Sequence, residues 1–176
     1  MRLRRADFGD QSLARIRVMR RFRVAPERVF DAWLIPQTAG LWLFATAMRP
    51  VAVVRMDARA GGSFSLVERS GGLETEYAGE YVELVRSQRL VFTLRLPDIT
   101  RVTAQFSPLG AGCELVVTHD RLPPHLADAM QARWTGMLYG LGVVLARRAG
   151  REHATAGRPA ARRVAATTPP ASRTWD

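Results

Sequence analysis

The chain has 176 residues, 47% of them apolar, and a formal net charge of +10. That length suits one domain with a real core and is short for two. A single cysteine, Cys113, excludes an internal disulfide framework and a cysteine-based zinc site; the absence of lysine excludes a Walker A loop and a lysine Schiff base.

Residues 1–12 read as a basic N-terminal extension without the apolar stretch of a secretory signal. Over 13–24, Ile16, Val18, Phe22 and Val24 share one parity, broken by Arg20, which predicts a strand. Pro26 suits a first helical turn, and Val29, Phe30, Trp33 and Leu34 follow at helical spacing until Pro36. A second short helix is expected from Gln37 to about Phe44. Strands are then predicted over 51–57, 63–68, 74–85, 90–96, 99–106 and 113–119, with glycine or proline turns between most of them. Gly79 inside the long strand marks a bend, a bulge or a close approach. The short connections favour an antiparallel meander, because parallel strands need long crossovers.

After Pro123-Pro124, residues 126–149 predict one long helix. Met130, Trp134, Met137, Leu138, Leu141, Val144 and Leu145 form its apolar stripe, and Gly150 is placed as its C-cap. Residues 151–176, rich in Ala, Pro, Arg and Thr, are expected to be a disordered tail in which Trp175 is an isolated aromatic. The domain is therefore assigned to 13–150. Its class is α+β: a curved seven-stranded antiparallel sheet gripping a long C-terminal helix, with two short helices after the first strand.

The charge is unevenly spread. Residues 1–21 hold seven Arg against two acids, 151–176 five against two, and the middle fourteen against twelve. Solvated ends explain this better than a nucleic-acid interface. No apolar run reaches the roughly 20 residues of a membrane span, so a cytoplasmic protein without membrane contact is expected.

Several segments resemble, in order, the heat-shock ATPase activator-like family of the START-like (SRPBCC, helix-grip) superfamily. They are Ala25-Pro26-Glu27-Arg28-Val29-Phe30-Asp31-Ala32-Trp33, Ala60-Gly61-Gly62-Ser63-Phe64, Gly79-Glu80-Tyr81-Val82-Glu83-Leu84-Val85 with Arg89-Leu90-Val91-Phe92-Thr93, Gly110-Ala111-Gly112 with the strand after it, and Trp134-Thr135-Gly136-Met137-Leu138. The resemblance implies a helix-grip fold with a cavity between sheet and long helix, in a superfamily of lipid and hormone binders and polyketide cyclases. Members often carry paired tryptophans after the first helix; here the segment reads Leu41-Trp42-Leu43-Phe44, with one Trp and more aliphatic surface.

Catalytic patterns are mostly missing: there is no G-x-G-x-x-G fingerprint and no G-x-S-x-G elbow. His119, His125 and His153 have no metal-ligand spacing, and no metal or cofactor is expected. His119 shares parity with Leu115 and Val117, which places it either at a cavity rim or as a strand-end histidine bonded to a nearby backbone group or water. Glu80 and Glu83 face opposite sides, so one points inward to a partner such as Arg69, Arg95 or Arg101, unless a bulge near Gly79 shifts the register.

The expected function is binding of a small hydrophobic or aromatic molecule in a cavity between sheet and helix. Trp33, Trp42, Phe64, Tyr81, Phe106, Trp134, Leu138 and Leu141 are its expected lining, and His119 or Tyr81 its orienting hydrogen bond. Alternatives are a chaperone-linked interaction protein, suggested by the resemblance, and a cyclase-like enzyme using His119 with a Glu of the 80–83 strand. Gly136, Gly140 and Gly142 each weaken a helix, which points to close packing, room for a guest, or a homodimer through this helix.

Overall fold

The computed structural model describes residues 13–45, 51–96 and 98–156. Residues 1–12 and 157–176, with Trp175, lie outside them. Strand β1 (Ala14–Phe22) leads into helix α1 (Pro26–Leu34) and the single turn α2 (Pro36–Ala39). Strands β2 (Val51–Met56), β3 (Ser63–Ser70), β4 (Leu73–Val85), β5 (Arg89–Leu96), β6 (Asp98–Leu109) and β7 (Gly112–Leu122) follow, and then α3 (Ala127–Ala156). All neighbours pair antiparallel in the order β1-β7-β6-β5-β4-β3-β2, so among the described residues the first strand closes against the last. This is the expected helix-grip architecture, with α3 on the concave face of a curved sheet.

α1 starts on Pro26, has Glu27 in its first turn, and buries Val29, Phe30 and Trp33. The acid complements the positive end of the helix dipole. α2 is shorter than expected. It starts at Pro36, and beyond Ala39 the chain continues in turns that end at Phe44, whose φ of 55° lies in the left-handed region. A bulky side chain there costs on the order of 1 kcal/mol, which the packing of its ring must offset. Helix α3 runs through Gly150 to Ala156, so Gly150 is not its cap and residues 151–156 belong to the helix rather than to a tail. Glycine lowers helix propensity but does not by itself end a helix.

The sheet's curvature turns on β4. Its first part pairs with β3 down to Ser63 opposite Glu80, and its last part pairs with β5 from Tyr81 opposite Phe92. Gly79 lies at the crossing. A Cβ there would stand 1.9 Å from the Thr93 carbonyl oxygen and 2.8 Å from the Phe64 ring, so only glycine fits. A register shift between Tyr81 and Glu83 follows, leaving Val82 42% exposed. The bulge removes the need for an inward Glu at these positions. Glu80 is exposed, and Glu83 pairs with Arg89 at 3.3 Å, both partly exposed.

Candidate functional site

The interior is an aromatic column. Trp33 meets Trp42 edge-on at 4.8 Å and stacks on Trp134 at 5.9 Å, and Phe92 and Phe106 lie 6.1 and 6.2 Å away. Phe64 packs on Tyr81 at 5.3 Å and on Phe92 at 5.4 Å. The eight residues expected to line a cavity, and His119, are all buried. Several of their side chains pack directly on one another between sheet and helix. Trp33, Leu43, Phe64, Tyr81, Leu90 and Phe92 surround a void of only about 10 Å³, room for one water at most. The Trp33 indole N–H is buried without a protein partner. Burial raises the Tyr81 hydroxyl above its ordinary pKa.

His119 stands inside the core rather than at a rim, wholly buried. The Trp134 indole N–H donates to His119 Nδ1 at 3.1 Å, and His119 Nε2 lies 2.7 Å from Thr100 Oγ1, whose hydroxyl donates to the Leu94 carbonyl at 2.7 Å. An indole nitrogen only donates, so Nδ1 accepts and the proton sits on Nε2. The ring is thus neutral with both nitrogens used. Burial holds its pKa at about 4, against a small opposing pull from Asp120. His119 therefore ties α3 through β7 to β6 and has no nitrogen left to orient a guest or to act with a glutamate.

The inward carboxylate belongs to Glu68, 3% exposed. It shares the inward face of β3 with Phe64 and Leu66, so strand parity alone would have found it. The Tyr77 hydroxyl donates to it at 3.2 Å, and Arg133 of α3 donates to it at 3.2 Å and to the Tyr77 oxygen at 2.7 Å. The guanidinium also lies over the Tyr77 ring at 4.6 Å and the Phe44 ring at 5.6 Å. Phe44 stacks flat on Tyr77 at 4.4 Å, and its amide donates to Met137 Sδ at 3.1 Å. Together with Trp42, whose indole donates to the Ala32 carbonyl at 3.1 Å, these contacts pin the 41–45 segment beside α3.

Between that segment and α3 runs a groove of about 880 Å³. Trp42, Met137, Gly140 and Val144 lie along it, Leu41, Tyr139 and Val143 give it exposed apolar surface, and Arg133, Arg147, Arg148 and Arg151 complete much of its edge. The three glycines of α3 have different surroundings. A Cβ at Gly142 would lie 3.3 Å from the Arg20 guanidinium, which rests over Tyr139 at 5.1 Å; this is where the inward-parity Arg20 of β1 goes. A Cβ at Gly140 would touch Trp42 at 3.6 Å, and one at Gly136 would meet nothing within 4 Å. Of the nine sequence-selected residues only Trp42 lines this groove; Trp33, Phe64 and Tyr81 line the small void, and Phe106, His119, Trp134, Leu138 and Leu141 line neither.

Among the described residues no group of three or more His, Cys, Asp or Glu has the arrangement of a metal site. Cys113 is buried, and burial pushes its thiol up to about 11. No helix in the described residues is long and apolar enough to cross a membrane.

A curved antiparallel sheet closed by β1 on β7, gripping one long helix, defines a START-like domain of a type compatible with ligand binding. Residues 23–146 match the family described as activator of Hsp90 ATPase homolog 1-like protein, and the chain belongs to that family. A Chromobacterium violaceum protein of solved structure is 27% identical with a TM-score of 0.69, covering 74% of this chain and 96% of its own. A Rhodobacter sphaeroides protein is 26% identical with a TM-score of 0.69, covering 79% and 97%. An AHSA1-like protein from Aeromonas hydrophila, 24% identical with a TM-score of 0.68 over 78% and 96%, shares the fold. No curated protein matches the chain.

Proposed function

We propose that this protein binds a small, largely apolar molecule in the groove along α3, rather than between the rings of the aromatic column. The observation that carries this reading is the groove itself: about 880 Å³, bare at Gly136 and flanked by Leu41 and Tyr139, 61% and 62% exposed. Sites for small molecules typically occupy ~300–1,000 Å³ with mostly apolar walls. The aromatic column and the Glu68–Arg133–Tyr77 cluster then serve as the rigid support that fixes the groove's two walls.

Titration with an uncharged, environment-sensitive dye such as Nile red tests the reading. Gly136→Leu has space at its Cβ and narrows the groove that residue 136 lines. It should weaken dye binding about tenfold or more, the scale of losing ~1.4 kcal/mol of apolar contact, with no loss of thermal stability. Undiminished binding by a folded Gly136→Leu protein would place the guest elsewhere.

A further inference from the structure

Resting on that reading, the structure points to the chemical class of the guest. We propose that it is an amphipathic anion, with its apolar body over 136–140 and its charged group on Arg147 and Arg148.

The groove is electrically one-sided. Four arginines line it, and no Asp or Glu is among its described lining residues. Their roles differ along the helix. Arg133, near one end, is already engaged by Glu68 and by the Tyr77 hydroxyl, which leaves that end of the groove close to neutral. Arg147 and Arg148 are exposed and have no ion-pair partner among the described residues. From Gly136 to Arg147 the helix rises about 16 Å, and Gly140 and Val143 lie on the same flank between them. The order along the groove is therefore apolar surface first and cationic end last.

An uncharged guest would use the first and leave the second idle. A small hydrophilic anion would do the reverse. An amphiphile with an anionic head uses both, and guanidinium groups form charge-assisted hydrogen bonds with carboxylate and phosphate oxygens alike.

Calorimetric titration of the full chain, at low salt and below micelle-forming concentrations, tests this with dodecanoate, dodecyl phosphate, dodecanol and inorganic phosphate. Dodecanoate or dodecyl phosphate, or both, should bind about tenfold or more tighter than dodecanol, and inorganic phosphate weakly; which of the two anions binds tighter identifies the head group. An Arg147→Gln/Arg148→Gln double variant should lose that advantage and keep its affinity for dodecanol, while Gly136→Leu should weaken all three chains. Equal binding of dodecanol and dodecanoate by the native protein, with Gly136→Leu still weakening both, would overturn the anion assignment and leave the apolar groove standing. Inorganic phosphate binding as well as dodecyl phosphate would also overturn it. Absence of binding by every chain would remove both readings. Retention on phosphatidylglycerol vesicles without binding of any free amphiphile would replace the groove site with a membrane-facing surface.

Discussion

On the side of α3 that meets the sheet, Trp134, Leu138 and Leu141 are each at most 1% exposed and belong to the core cluster, and Trp134 meets rings of α1 and β7. On the flank beside the 41–45 segment, Gly136, Tyr139, Gly140 and Val143 of the same helix border open space. The sheet side is also wired, through Trp134, His119 and Thr100, with no polar atom of that chain left over. The flank carries Arg147 and Arg148, exposed and without an ion-pair partner among the described residues. A core-facing stripe is shaped by packing density, and a neighbour of the same sequence texture can remain empty when the opposing wall is held back by other contacts. Here those contacts are Phe44 on Tyr77 and Trp42 on the Ala32 carbonyl.

The contrast predicts unequal effects of substitution. The largest belongs to Trp134→Ala on the sheet side. It leaves a cavity against Trp33 and strips His119 Nδ1 of its donor, and should cost ~3–5 kcal/mol in urea denaturation. A loss below about 1 kcal/mol would mean that the column does not hold the helix.

His119 should make stability depend on pH. Its folded pKa of about 4 lies below the ordinary 6.5, so as acidity rises the unfolded chain takes up the proton first. Stability is therefore full above pH 6.5 and falls as pH drops from 6.5 towards 4, by up to about 3 kcal/mol for a shift of this size. His119→Gln should flatten that part of the profile, and an unchanged slope would contradict the buried neutral ring.

The smallest effect, and one of opposite sign, belongs to the flank. Gly136→Ala meets no neighbour and should raise stability by ~0.5–1 kcal/mol through helix propensity alone. A destabilised variant would show that the groove is packed in solution.

The strands, the long amphipathic helix and most of the core were legible because burial imposes a two-residue period on strands and a 3.6-residue period on helices. Gly79 was legible as a special point, although its reason, the Thr93 carbonyl, lies 14 residues away on the neighbouring strand. Glu80 faces outward by alternation with the buried Tyr81, and Glu83 lies beyond the bulge; the inward carboxylate is Glu68, whose parity with Phe64 and Leu66 is visible in the sequence. Arg133 lies outside the apolar stripe of α3, yet it reaches back over two aromatic rings.

By itself the sequence determined which residues are apolar and at what spacing, and hence the elements, their order and the side of α3 that meets the sheet. Tertiary structure alone decided how tightly the aromatic side chains fill the interior, which carboxylate turns inward, and where space is left beside the helix. Spacing along the chain records the face on which a side chain leaves the backbone. The volume between two faces depends on side chains contributed by segments far apart in sequence, and no local pattern carries that sum.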